Sequence, residues 1–235
     1  SSATGRLTKI KASIDDQGTI HALDYDQIDD VGAYPRAPEP ASLYRMHGNL
    51  SGAYKVKNIR CRNRVILTNK TPSGLNRGFG GPQHYFALER LVHQIAVELK
   101  LNVLDVIKIN LLEKNQFPYK SPSGALLDSG NFQKLVKKVI ESSTYKKILK
   151  NKNNSIKNGK IYGIGYSAII EPSISNMGYV TTALPYQDRE KTGHKGGALA
   201  STSVSIGPTG SVYVTCDSLP QGQGPVSYTH LRAHE

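Results

Sequence analysis

The feature that most constrains this chain is a glycine-rich loop that runs without a break into an amphipathic helix. Arg77-Gly78-Phe79-Gly80-Gly81 is followed by Pro82, whose fixed φ suits the first helical position. From Pro82 to Lys100 the apolar residues Phe86, Leu88, Leu91, Val92, Ile95, Ala96 and Leu99 recur at helical spacing, the strongest helical signal in the chain. The glycines let backbone N–H groups approach a ligand closely, and a helix N-terminus favours anionic groups. By spacing alone the same loop also fits a tight structural turn, and it matches neither the P-loop nor the dinucleotide pattern.

Around this unit the sequence alternates between strand and helix signals. Lys9 to Ile14 alternates its side chains, Asp15-Asp16-Gln17-Gly18 is turn chemistry, and Thr19 to Ile28 resumes the alternation, which predicts a β-hairpin. Pro35, Pro38 and Pro40 forbid regular structure up to about Ala41, after which Leu43 to Leu50 fits a short helix. Tyr54 to Asn69 reads as one or two strands that offer Val56, Ile59, Val65, Ile66 and Leu67 to the core. A second short helix is expected over Val103 to Leu112 and a third from Asn131 to about Leu149. Ile161 to Ile170, Leu199 to Ile206 and Ser211 to Thr215 read as strands, the last two joined by the turn Pro208-Thr209-Gly210. The expected class is therefore α+β, with mixed β-sheets and packed helices. A boundary near residues 150 to 160 divides it into a first unit, 1–150, and the start of a second, 151–225.

Composition narrows the functions. With 38% apolar residues the 235-residue chain can build a core, and 22 Gly, 12 Pro and 13 Tyr against four Phe and no Trp suit a strand- and loop-rich fold. No stretch approaches the roughly 18 to 20 consecutive apolar residues of a membrane helix, and Ser1 to Arg6 lacks a signal-peptide core. Cys61 and Cys216 have no metal-ligand spacing and are expected as free buried thiols in a reducing compartment, so the chain alone holds neither an iron–sulfur cluster nor zinc. The net charge of +12 raises nucleic acid as a partner. Much of the excess, however, sits in Tyr145 to Asn154 and on to Lys157 and Lys160, without interleaved aromatics, which reads as a solvated helix end and linker.

A second glycine cluster, Pro220-Gln221-Gly222-Gln223-Gly224, follows the strand that ends near Cys216. A Gln side chain offers donor and acceptor together, which suits the mixed edge of a pterin, although an ordinary loop has the same composition. Taken together, Arg77 to Gln83 and Gln221 to Gly224 resemble the large subunit of the xanthine dehydrogenase/aldehyde oxidase family of molybdenum hydroxylases, in this order and at a fitting separation. Tyr54 to Arg60 resembles the strand before the first cluster. Glu89, the helix to Lys100 and the Asn102 to Leu112 segment, closed by Asn110, resemble the family's helical stretch. The likeness covers roughly residues 5 to 224.

That resemblance implies a role for each matching residue. Arg77, Gly78 and Gly80, with Gly222, Gln223 and Gly224, match positions that bind the molybdenum–molybdopterin cofactor. Phe79 matches the aromatic that lies against the substrate ring, and Arg45 the Arg that steadies charge developing on the substrate. The cofactor is expected in its cytosine dinucleotide form if the source is bacterial, with FAD and [2Fe-2S] on partner subunits. The intact, oligomeric protein would oxidise an aldehyde or aromatic heterocycle with water as oxygen source, in the cytoplasm or alternatively the periplasm. Neither nucleic acid nor membrane is an expected partner; the competing class is a non-catalytic basic module that binds nucleic acid or phosphate. The family's copper-containing carbon monoxide dehydrogenase branch needs a thiolate just after the loop Arg, where this chain has Gly78. The oxo-side loop and the catalytic base of the family are expected outside residues 1–224, so every acid here is a poor candidate for the base. His84, His93 and His194 are read as ordinary polar or helix residues. Residues 226–235 resemble one reading frame of a sequencing adapter, so the chain is expected to be an inactive internal piece whose natural sequence ends at Gly224.

Overall fold

The computed structural model describes residues 5–35, 46–74, 76, 78–170, 186–189 and 201–217. Strands β1 (Gly5–Ile14) and β2 (Ile20–Asp30) form the expected antiparallel hairpin, paired from Gly5↔Asp30 to Ile14↔Ile20. Its turn is held by Asp15, whose carboxylate accepts from the amides of Gln17 (3.0 Å) and Thr19 (2.8 Å), while Gly18 takes a φ of 82° that other residues avoid. β3 (Asn58–Ile66) then pairs parallel to β2, giving a mixed sheet in the order β1-β2-β3.

Alternation along β2 turns Leu23, Tyr25, Gln27 and Asp29 inward, all buried, and Asp24, Asp26 and Asp30 outward. The outward acids meet bases of β3 and the segment after it: Arg60 on Asp24, Arg62 and Arg64 on Asp26, and Lys70 on Asp30. Val65, Ile66 and Leu67, expected in the core, are exposed instead. Among the described residues β3 lies at one edge of the sheet while the main helix packs over β1 at the other, so the β-branched residues there serve strand formation without gaining cover.

That helix, α1 (Gly81–Glu98), buries His84, Tyr85, Leu88, Glu89, Val92, Ile95 and Ala96. The stripe steps by three and four residues, and Phe86, two residues off it, is 76% exposed rather than core as expected. α2 (Val103–Asn110) is capped by Asn102, whose side chain accepts from the Leu104 amide at 2.8 Å. Its last residue, Asn110, is a buried junction. Its side-chain oxygen accepts from the Ile20 amide, and its NH2 donates to the carbonyls of Gly18 and Val106, each at 2.8 Å. The helix end is thereby tied to the hairpin turn.

Where one helix was expected from Asn131, there are two, α3 (Phe132–Glu141) and α4 (Ser143–Lys157). Ser142 separates them with an extended backbone; its hydroxyl donates to the Val139 carbonyl at 2.7 Å and accepts from the Tyr145 amide at 3.1 Å, ending one helix and starting the next. The Lys/Asn stretch is thus helical as far as Lys157. β4 (Tyr119–Lys120) and β5 (Leu126–Leu127) make a small hairpin, and β6 (Thr202–Ile206) and β7 (Val212–Cys216) a second, exposed on both faces. Both cysteines are free, as expected, but exposed rather than buried, Cys61 on the edge strand and Cys216 on this hairpin. No helix among the described residues is long and apolar enough to cross a membrane.

Residues 161–170 alternate in burial like the expected strand but join no sheet among the described residues. Side chains of α1 dock their main chain instead. His93 Nε2 meets the Tyr166 carbonyl at 2.7 Å, Glu89 accepts from the Ala168 amide at 3.0 Å, and the Tyr85 hydroxyl donates to the Ile170 carbonyl. Four helical residues rise about 6.0 Å and two extended residues about 6.6 Å, so the two repeats stay in step over this length.

Replacing Asn110 by Ala strands the Ile20 amide and the Gly18 carbonyl without partners in the interior. The expected cost is about 2 to 4 kcal/mol, read as a lower urea midpoint with the slope unchanged.

Candidate cofactor-binding site

The glycine-rich loop is placed by the end of β2. The Val31 amide donates to the Ile66 carbonyl at 3.2 Å, the Ser73 amide to the Val31 carbonyl at 3.1 Å, and the Ala33 amide to the Lys70 carbonyl at 3.0 Å. Gly32 sits inside this crossing with a φ of 79°, and a Cβ there would lie 2.6 Å from the Thr71 carbonyl, so only glycine lets the two segments close. The same end of β2 carries Asp29, held by the Arg6 guanidinium at 2.6 and 3.1 Å in a fully desolvated, bidentate pair.

From this anchor the chain enters the loop and winds into α1 by successive turns: Phe79 N to Asn76 O at 2.9 Å, Gly81 N to Gly78 O at 3.0 Å and His84 N to Gly80 O at 3.2 Å. Gly78 and Gly80 both have positive φ, 83° and 79°. Among the described residues, nothing lies within 4 Å of a Cβ placed on Gly78. Gly80 caps the helix without a side-chain hydrogen bond, and no acidic side chain occupies the first turn. Phe79 is half-buried beside these glycines.

His84 pins the helix start. Its buried ring lies 5.7 Å from the Tyr25 ring and 5.1 Å, edge-on, from Tyr85. Tyr25 in turn donates its hydroxyl to the Leu50 carbonyl at 2.8 Å, drawing the short 3-10 turn His47–Asn49 to the same place. The fold therefore brings the loop 78–81, the inner face of β2 and the turn that follows Arg45 in sequence into one neighbourhood. Of the residues singled out in the sequence, Gly78, Phe79 and Gly80 lie in it; Arg45, Arg77, Gly222, Gln223, Gly224 and His194 lie outside the described residues.

Sequence reasoning did not single out Glu89 as a buried acid. It is 7% exposed, its carboxylate lies 3.0 and 2.9 Å from the Tyr54 hydroxyl, and it accepts from Ala168. Burial pushes its pKa up to about 7, against smaller lowering effects of the Ala168 and Tyr54 hydrogen bonds. The signal was present, since Glu89 stands beside Leu88 and three residues before Val92 on the apolar stripe. Nine residues of helix, about 13 Å, separate it from Gly80, so it ties the core together away from the loop.

A carboxyl whose folded pKa is raised above its unfolded value near 4.5 favours folding fully below that value, and the contribution is lost as pH rises through about 7. Glu89→Gln removes this loss. The variant is expected to gain on the native protein between pH 5 and pH 8, by up to about 3 kcal/mol, in denaturant midpoints at the two pH values; a gap that does not widen with pH contradicts the assignment.

Residues 1–111 match the family described as the molybdopterin cofactor-binding domain. The carbon monoxide dehydrogenase large chain of Hydrogenophaga pseudoflava is 26% identical over 228 residues, 93% of this chain and 27% of the relative. The nicotine 6-hydroxylase large subunit of Paenarthrobacter nicotinovorans is 25% identical over 95% of this chain and 26% of its own length. Among solved structures, quinoline 2-oxidoreductase from Pseudomonas putida 86 superposes with a TM-score of 0.73 at 25% identity, covering 94% of this chain and 27% of that one. The chain thus spans about a quarter of the length of these relatives.

Proposed function

We propose that this chain carries a molybdopterin cofactor-binding domain of the molybdenum hydroxylase family, a reading supported by the match over residues 1–111 and by the relatives named above. The full-length protein is then an oxidoreductase that oxidises an aldehyde or an electron-poor aromatic heterocycle with water as oxygen source. The observation that supports this reading is the loop 78–81, which lies inside the family match, has no described residue within 4 Å of a Cβ placed on Gly78, and leads into a helix whose first turn carries no acidic side chain. Those features fit an anionic, phosphate-bearing cofactor, because backbone amides and the helix dipole favour negative charge without a competing carboxylate.

In this reading Arg77, Gly78 and Gly80 hold the cofactor from one side, and Gly222, Gln223 and Gly224 from the other. The cofactor, when bound, supplies the redox and oxygen-transfer chemistry. The chain supplies positioning. Phe79 sets the plane of a flat substrate against its ring, and the Arg45 guanidinium stabilises negative charge that grows on the substrate. Electrons leave through [2Fe-2S] and FAD units on partner subunits or domains of an oligomeric enzyme of the cytoplasm or alternatively the periplasm, and the cofactor of a bacterial form is of the cytosine dinucleotide type. The two parts of the chain, 1–150 and 151–225, belong to successive subdomains around the cofactor.

Carbon monoxide dehydrogenases are among the relatives, yet this reading assigns the chain to the copper-free branches. Cu(I) is soft and needs sulfur. Gly78 offers none, and Cys61 lies on the edge strand β3, before the loop.

Stoichiometric molybdenum without copper in the full-length protein is the expected metal analysis, and Gln223→Ala lowers the molybdenum content by removing a polar partner of a buried cofactor. Unchanged content removes Gln223 from the site. Arg45→Ala is expected to cut turnover about a hundredfold with molybdenum content intact; loss of the metal together with unfolding makes Arg45 structural.

A further inference from the structure

The excess positive charge of the chain is concentrated on two helices that carry little to balance it. Residues 131–160 hold nine Lys and one Glu, a net +8 of the chain's +12. The stretch expected as a solvated helix end and linker is instead the helix α4, which follows α3 at Ser142. Both helices use one face for the body of the protein. On α3, Phe132 and Val136 pack against the core, and Gln133 Nε2 donates to the Lys108 carbonyl at 2.7 Å. On α4, the Tyr145 hydroxyl meets that of Tyr166 at 3.1 Å, and Ile148, three residues on, is half-buried.

Helical spacing then turns Lys134 and Lys138 of α3, and Lys146, Lys147 and Lys150 of α4, away from the body, and all five are exposed. Among the described residues none of the five forms an ion pair; Glu141 stands 3.8 Å from Lys137. Aliphatic side chains border these lysines. Leu135 is 61% and Val139 51% exposed, one turn apart beside Lys134 and Lys138, and Leu149 is 37% exposed beside Lys146 and Lys150. The two helices contain no Arg or Trp, and their one Tyr is the inward Tyr145. A protein interface draws its energy from buried Tyr, Trp and Arg and is depleted in Lys, and a nucleic-acid phosphate backbone gives exposed leucine and valine nothing to bury against. A lipid headgroup surface offers spread negative charge to ammonium groups and an acyl boundary to aliphatic side chains.

We propose, against the expectation from the sequence, that the outer faces of α3 and α4 bind an anionic lipid surface, with the lysines at the headgroups and Leu135 and Val139 at the acyl boundary. This binding does not depend on the cofactor site. It is tested by co-sedimentation with phosphatidylcholine vesicles that contain phosphatidylserine, at physiological salt. The chain binds them at least about tenfold more tightly than vesicles of phosphatidylcholine alone, and the difference shrinks as salt is raised. Lys146→Gln/Lys147→Gln/Lys150→Gln weakens binding about a hundredfold, at about fivefold per lysine, and Leu135→Ser/Val139→Ser about tenfold. The five replaced side chains are exposed, so both variants stay near the native urea midpoint. If the serine pair does not fold, Leu135→Gln alone is read in its place, with a fall of about threefold.

No binding to the phosphatidylserine vesicles, equal binding to both kinds, or native-level binding by the lysine or the serine variant overturns the proposal. Binding to duplex DNA or to polyglutamate without binding to the vesicles overturns it as well, and assigns the face to nucleic acid or to an acidic protein. The full-length protein gives the same result in the same assay; failure there, with binding by this chain, shows the face covered and removes the lipid role from the assembled enzyme.

Discussion

Burial of one stripe of α1 against the β1–β2 hairpin is the interaction on which the rest depends. Leu88, Val92, Ile95 and Ala96 lose nearly all contact with water, and each large apolar side chain so buried contributes roughly 1.5 to 3 kcal/mol. Removing that stripe would leave the hairpin's inner face, with Leu23 and Tyr25, without cover. The same packing also decides where the start of the helix sits, because His84 and Tyr85 continue the stripe to its first turn and meet Tyr25 there. The open loop at Gly78 is therefore a consequence of core packing several residues away.

Apolar burial is non-directional, so it does not by itself specify where loops attach. In this molecule buried polar groups do that. Asn110 has its three bonds on the hairpin turn and its own helix; Glu89 joins α1 to Tyr54 and to the segment at Ala168; the Gly48 carbonyl collects three donors from the Ser121–Ala125 loop. Each takes partners distant in sequence, and each would be costly to leave unpaired. Where the groups are charged and exposed, as in the Asp24–Arg60 and Asp26–Arg64 pairs across β2 and β3, they screen an edge strand more than they stabilise it.

The relatives act, by their names, on carbon monoxide, nicotine and quinoline, while sharing this fold over most of the present chain. The scaffold alone does not select a substrate. On the proposed reading, selection falls to the side chains set around the loop, where Gly78 offers no sulfur for copper and Phe79 an aromatic face.

The local signals in the sequence were sufficient for the hairpin, for α1 and α2, for the β6–β7 hairpin and for the α+β class, because period-two and period-3.6 patterns and turn chemistry act between near neighbours. The glycine-rich loop was likewise legible, since positive φ at Gly78 and Gly80 is a property of single residues. Other features were settled only by tertiary structure. Val65, Ile66 and Phe86 are apolar yet exposed, because a pattern does not reveal which strand becomes an edge or where a helix stripe ends. Ser142 splits a helix through its own hydroxyl, and the main chain of residues 161–170 takes hydrogen bonds from α1 side chains. The burial that raises the pKa of Glu89, and the hydrogen bonds from Ser121 and Ser123 to the Gly48 carbonyl, bring together groups far apart in sequence. Desolvation and hydrogen-bond partnership at such separations exist only after the chain has folded, so the sequence alone determined the elements and the candidate residues, and the packed structure decided their surroundings.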